Sequence, residues 1–209
     1  NLDGMLVYGG DGADHINLEG SIPPNMSTTL NGGTGRNVIH GGPSKDFIST
    51  SYGSAGSQLF GGGNNDLIYA NDGVTIHGGE GTDHAHITNA CSGPVADGGP
   101  GNDSAVFAGS PRGIKADLGR GYAEWLNGAC ARRARLAPTI ERLEGSRYND
   151  WLIVGQRHAQ QQGRSSLLGR EGINTLNSKN GRRDTVTTGP AAHRNKVIRD
   201  RRDKVIWGW

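Results

Sequence analysis

GGGNNDLIYANDGVTIHGGEGTDHAHITNACSGPVADGGPGNDSAV, residues 61–106, carries one nine-residue phrase three times. GGGNNDLIY begins at Gly61, GGEGTDHAH at Gly78 and GGPGNDSAV at Gly98. Each opens on a glycine pair, sets an aspartate sixth (Asp66, Asp83, Asp103) and an aliphatic residue eighth (Ile68, Ala85, Ala105). The first six residues suit a tight turn, because glycine reaches the φ > 0 conformations that turns need. The last three alternate outward, inward, outward, as a short strand does. Self-similarity at a fixed short period is the mark of stacked repeats.

Upstream the phrase returns as GGDGADHIN at Gly9, GGTGRNVIH at Gly32 and GGPSKDFIS at Gly41. Position six is then Asp14, Asn37 and Asp46, and position eight is Ile16, Ile39 and Ile48. The shared form, G-G-x-G-x-D-x-U-x with U apolar, resembles the RTX, or haemolysin-type, calcium-binding nonapeptide family. The resemblance implies an all-β chain: a right-handed parallel β-roll, a β-solenoid with calcium-binding turns, in which two nonapeptides make one coil. It also implies Ca²⁺ held between successive turns of one edge by position-six side chains and backbone carbonyls of both turns. On this sequence those side chains are Asp14, Asn37, Asp46, Asp66, Asp83 and Asp103. The carbonyl-bearing turn residues are Gly61 and Gly63, then Gly78, Gly79, Glu80 and Gly81, then Gly99 and Gly101.

Spacing assigns the edges. Asp46, Asp66, Asp83 and Asp103 lie 20, 17 and 20 residues apart, one full coil each. They are expected to stack on one edge, with sites at 46/66, 66/83 and 83/103. The looser turns at 52–57, 71–73 and 89–94 fall between them and belong to the other edge. Asn37 precedes Asp46 by half a coil, so it goes there too, with Asp14, as a fourth and less charged site. The 46/66 site is the poorest of the three, because GGPSKD puts Ser44 where glycine is preferred and adds the charge of Lys45.

Composition fits a calcium-stabilised repeat. Glycine is 36 of 209 residues, well above its usual ~7%. Apolar residues make up only 33%, so the inward ladder is thin. Carboxylates gathered in the turns repel one another without a cation, and calcium prefers six to eight oxygens of the carboxylate and carbonyl type. Residues 1–130 hold thirteen acids and five bases; residues 131–209 hold seven acids and seventeen bases.

The pattern weakens after Gly113. Residues 113–144 read as a spacer carrying a β-excursion or a short Ala/Arg-rich helix near 129–136. It runs into E-x-x-x-G-S-x-x-N-D-x-L, where Asp150 takes position six. Beyond it Asn174, Asp184, Asn195 and Asp203 recur 10, 11 and 8 residues apart, with Val186, Val197 and Val205 as core positions. The expected organisation is a calcium-binding roll over 1–112, a spacer over 113–144 and degenerate basic coils over 145–209. The closing IWGW is expected to cap the open end.

The sequence carries no HExxH, GxSxG, GxxxxGK[ST] or GxGxxG, so it is not expected to be an enzyme. His84 and His86, with His77 or with His15 and His40 on neighbouring rungs, could hold a transition metal, but as outward positions seven and nine they read rather as a solvated strand surface. The Arg-rich tail lacks interleaved aromatics and is not expected to bind nucleic acid. No apolar run approaches the ~18 residues of a membrane helix, so no membrane insertion is expected. Cys91 and Cys130 show no CxxC spacing and read equally as one disulfide or two buried thiols. The chain begins at Asn1 with no visible leader, which reads as a mature chain or a fragment. The expected function is calcium binding by an extracellular module, from a secreted bacterial protein, that folds with Ca²⁺. The alternative is a fibre or surface-layer subunit forming an end-to-end homo-polymer, motivated by the acidic front and basic back.

Overall fold

A computed structural model describes residues 4–23, 25–71, 73–128, 130–155, 165–190 and 194–208. The chain winds between two parallel sheets. In the front coils these strands are β1 (Met5–Tyr8), β2 (His15–Asn17), β3 (Thr28–Asn31), β4 (Val38–His40), β5 (Asp46–Ser49), β6 (Gln58–Gly63), β7 (Leu67–Ala70), β8 (Thr75–Glu80), β9 (His84–Ile87), β10 (Val95–Asp97) and β11 (Asp103–Val106). Next come β12 (Ile114–Asp117), β13 (Tyr122–Trp125), β14 (Ala134–Leu136) and β15 (Ile140–Glu144). The back coils hold β16 (Trp151–Ile153), β17 (Ser166–Leu168), β18 (Thr175–Asn177), β19 (Thr185–Thr187), β20 (Lys196–Ile198) and β21 (Lys204–Ile206).

The first sheet runs β1-β3-β5-β7-β9-β11-β15-β17-β19-β21, and the second runs β2-β4-β6-β8-β10-β14-β13-β12-β16-β18-β20. The fold is therefore the all-β solenoid that the nonapeptides predict, of the β-roll kind. Its core is two ladders, one from each sheet. Leu30, Ile48, Ile68, Ala85 and Ala105 pair in register down the first, and Ile16, Ile39, Leu59, Ile76 and Ala96 down the second. All ten are buried. Every predicted position-eight residue of the six units lies in these ladders, because a period of two leaves each three-residue strand one inward side chain.

First-position glycines are required by close approach. A Cβ on Gly78 would lie 2.4 Å from Asp83 Oδ2 and 2.5 Å from the Gly98 carbonyl oxygen. The position-six carboxylate folds back under its own turn and occupies that space.

The spacer is a β-excursion. After β11 the chain skips two places in the second sheet, enters it at β12, and returns through antiparallel β13 and β14 to fill the gap. The helix considered near 129–136 does not form: β14 is extended and takes the parallel place beside β10, while Ala129 lies outside the described residues. Cys91 and Cys130 form a disulfide with Cα atoms 4.8 Å apart, tying the turn before β10 to the β13–β14 loop.

The strand histidines face outward, as expected, but several are partly covered by stacking against neighbouring rings; His158 and His193 lie outside the described residues. His40, Phe60 and His77 stack in series along the outer face of the second sheet, with centroids 4.4 and 4.7 Å apart. Tyr69 and His86 stack at 4.3 Å on the first, where burial pushes the His86 imidazole down to about 4. Parallel in-register strands place equivalent side chains one above another, so rings that look isolated in sequence become neighbours. At the far end Trp207 remains 53% exposed and does not fold over the core; Trp209 lies outside the described residues.

Candidate metal centre

The turns leading from the second sheet into the first stack along one edge, as the spacing predicts. Asp46, Asp66, Asp83 and Asp103 stand directly over one another on it. A continuous hydrogen-bond ladder fixes them. The Asp46 N–H donates to Asp66 Oδ1 at 2.8 Å, the Asp66 N–H to Asp83 Oδ1 at 2.7 Å, and the Asp83 N–H to Asp103 Oδ1 at 2.8 Å. One oxygen of each carboxylate thus braces the neighbouring turn. The other behaves differently from turn to turn. Asp66, Asp83 and Asp103 each leave a buried Oδ2 with no hydrogen-bond partner. Asp46 does not: its Oδ2 accepts the Gly42 N–H at 2.7 Å and its Oδ1 accepts the Thr28 hydroxyl at 2.7 Å.

Burial raises the carboxyls of all four aspartates. Burial pushes the Asp66 carboxyl up to about 8, and the Asp83 and Asp46 charges push the same way. Burial, with Asp83, Glu141 and Asp97 nearby, raises Asp103 to about 7. Asp83 and Asp46 are also raised, again by burial first. A buried anionic oxygen without a partner costs several kcal/mol in principle, and proteins answer that cost by neutralising the group or pairing it with a cation.

The opposite edge carries Asp14 and Asn37, as the half-coil spacing predicts. The Asp14 N–H donates to Asn37 Oδ1 at 2.9 Å, and Asp14 Oδ2 is buried and unpartnered. The turns at 52–57 and 89–94 also lie on this edge, and Ser57 continues the ladder by accepting the Asn37 N–H. In the turn at 71–73, Asp72 lies outside the described residues. Farther along, Asp150 occupies the equivalent place, but its Oδ2 accepts the Ser146 N–H at 2.7 Å. Burial raises its carboxyl to about 6.

One member of this carboxylate ladder, Glu141, escaped the sequence reading, and Asp184, read there as part of a degenerate coil, resembles the front turns. Glu141 Oε2 accepts the Asp103 N–H at 2.8 Å and so continues the carboxylate stack into the spacer. It opens the E-x-x-x-G-S motif, but no glycine pair precedes it to mark it as a repeat. Asp184 has an unpartnered buried Oδ2 like those of the front turns, although its turn reads KNGRRD. Among the described residues no group of three or more His, Cys, Asp or Glu side chains converges. A cation on this edge would therefore draw on one carboxylate oxygen per turn and on backbone carbonyls, which is a hard-ion ligand set. The unpartnered oxygens and the glycine-lined turns fit calcium.

One family model matches the front of the chain. Residues 6–20 and 26–51 match the family model for the RTX calcium-binding nonapeptide repeat, in four copies. These two segments are similar to RTX repeats. No curated protein matches the chain in sequence. The turns at 61–66, 78–83 and 98–103 lie beyond the matched RTX segments. They share the RTX register, the same Oδ1 ladder and the same glycine under the carboxylate.

Proposed function

We propose that this chain is a calcium-binding RTX module whose principal sites lie between the turns of Asp66, Asp83 and Asp103. The observation that carries the reading is the run of three consecutive stacked carboxylates, each with one oxygen committed to the ladder and the other buried without a partner. The side chains that would hold the ion are Asp66, Asp83 and Asp103, with carbonyls of Gly61, Gly63, Gly78, Gly79, Glu80, Gly81, Gly99 and Gly101. Bound calcium would supply the positive charge those oxygens lack. Asp14 on the other edge is a further single ligand, and the Asp46 site is weakened by the Gly42 N–H that already fills its second oxygen. In this reading residues 1–112 are the calcium roll, 113–144 a spacer and 145–209 basic coils. Extracellular placement is supported by the disulfide, which persists in oxidising compartments, and by the millimolar calcium found there. Calorimetric titration of the chelator-treated chain with CaCl₂ is expected to show at least two calcium ions bound per chain. Absence of any binding at millimolar calcium would overturn the reading.

A second reading, a subunit of an end-to-end fibre, is favoured by one observation. β1 and β21 are the outer strands of the first sheet and present exposed apolar side chains: Leu6 is 58% and Tyr8 68% exposed at one end, Ile206 40% and Trp207 53% at the other. Parallel pairing of β21 on β1 of a second copy would continue the sheet. Light scattering in millimolar calcium is expected to show growth at low salt that weakens at ~0.5 M salt, where exposed charges are screened within a few ångströms. A monomer at every concentration and salt would exclude it.

A further inference from the structure

Position six of the turn is asparagine at residues 37, 174 and 195, and at the first two the arrangement inverts; Asn195 Oδ1 joins the ladder by accepting the Asn174 N–H, while its amide nitrogen has no partner among the described residues. The Asn174 side-chain amide nitrogen donates to the carbonyl oxygens of Gly169 at 2.7 Å, Glu171 at 2.9 Å and Gly172 at 3.5 Å. The Asn37 amide nitrogen faces the carbonyls of Gly33, Thr34 and Gly35 at 3.4, 3.5 and 3.2 Å. In both, Oδ1 does what an aspartate Oδ1 does in the other turns, accepting the N–H of the coil before it: Asp14 at 2.9 Å and Asp150 at 2.8 Å. The amide nitrogen therefore stands where Asp66, Asp83 and Asp103 keep an unpartnered oxygen. Space agrees: a Cβ on Gly169 or Gly32 would meet the amide nitrogen at 2.9 or 2.8 Å, as a Cβ on Gly61 or Gly78 would meet a carboxylate oxygen.

In the turns of Asn37 and Asn174 the carbonyls point inward at the position-six side chain. An aspartate in either place would set oxygen against oxygen, and a positive charge would be needed between them. With asparagine, the NH₂ group offers two donors of its own. We propose that Asn37 and Asn174 replace the cation in their turns, making these coils metal-independent staples within a calcium-requiring solenoid. The inference rests on the calcium reading above for the aspartate turns, and it takes Asn37 out of the ligand set. Both staples lie on the edge opposite Asp66, Asp83 and Asp103, so calcium demand is concentrated on one side.

The exchange of one atom tests it. Asn37→Asp and Asn174→Asp keep shape and Oδ1 but turn the donor into an anionic oxygen against three carbonyls. Each is expected to bind one more calcium than the parent chain by calorimetry. In EGTA each is expected to melt at least about 2–4 °C lower, the shift that loss of a buried hydrogen bond produces in a chain of this size, and calcium should restore the difference. Asn37→Ala and Asn174→Ala remove the amide without adding charge; their loss of stability is expected to be the same with and without calcium. An unchanged calcium count and unchanged chelator midpoint in both aspartate variants would overturn the inference. So would a lower calcium count in either alanine variant, which would make the asparagine a ligand. If the parent binds no calcium but Asn174→Asp binds one, the calcium reading of the native turns fails and the inference stands. If neither binds, both fail.

Discussion

Treatment with EGTA is expected to remove most β-structure from residues 1–112, and excess calcium to restore it, followed by far-ultraviolet circular dichroism. The apolar contribution of these coils is small: each adds two inward side chains, and Ala85, Ala96 and Ala105 occupy three of those positions. Against it stand buried carboxylates with unpartnered oxygens at Asp14, Asp66, Asp83 and Asp103. A site with Kd of ~10⁻⁴ M adds about 1.8 kcal/mol at roughly 2 mM calcium, so three or four sites add ~5–7 kcal/mol. That is comparable to the whole stability of a typical domain. The same carboxylates set the pH response of the metal-free chain. Folding raises Asp66 from 3.8 to about 8 and Asp103 from 3.8 to about 7. A raised folded-state value means that their contribution is fully present below pH 3.8 and is lost as pH rises through 7 to 8. In EGTA the melting midpoint should thus fall between pH 4 and 8. A folded spectrum in chelator at pH 8, equal to that in calcium, would refute metal-coupled folding.

Asp83→Ala is expected to abolish two calcium ions, where Asp184→Ala costs at most one. Asp83 is the middle of three consecutive open carboxylates, so a cation above and a cation below both lose a ligand. At 2 mM calcium that is about 3–4 kcal/mol, beyond the bracing hydrogen bond that Asp66 loses. Asp184 also has an unpartnered oxygen, but its neighbours differ. Ser165 precedes it on the edge, and Asp203 follows with its Oδ2 already taken by the Asp200 N–H at 2.8 Å and the Ser178 hydroxyl at 2.7 Å. No second open carboxylate is stacked against it, and Arg182 and Arg183 in its turn oppose a cation. Because both variants lose a ladder hydrogen bond, calcium stoichiometry rather than melting separates them. Equal stoichiometric losses would overturn the assignment of the principal sites to the front turns.

How far the sequence reaches depends on what each feature needs. The inward ladder, the coil spacing and the two edges follow from local periodicity, so Ile48, Ile68, Ala85 and Ala105 and the stack of Asp46 to Asp103 were legible. The fate of the second carboxylate oxygen was not. It turns on whether a nearby N–H reaches it, as Gly42 reaches Asp46 and Ser146 reaches Asp150. GGPSKD hinted at the first through Ser44 and Lys45, but the donor is a backbone group that every sequence has. Glu141 escaped because it joins the ladder from a spacer 38 residues on from Asp103. The choice between disulfide and thiols at Cys91 and Cys130 depended on where the excursion places its β13–β14 loop, which no short-range pattern encodes.

The excursion also governs how a disturbance travels along the solenoid. In a stack of coils each rung holds only its nearest neighbours, so order and disorder spread like falling dominoes. In the second sheet β10 and β16 are separated by β14, β13 and β12, and two of the intervening contacts are antiparallel pairings within the excursion itself. Direct coil-to-coil pairing across this point survives only between β11 and β15, and its register shifts at Asp103/Ser104. The line of dominoes changes its linkage there. Collapse begun among the carboxylate turns can halt at residue 103, leaving the basic coils standing, and the covalent tie from Cys91 to Cys130 keeps the fallen coils within reach of their template.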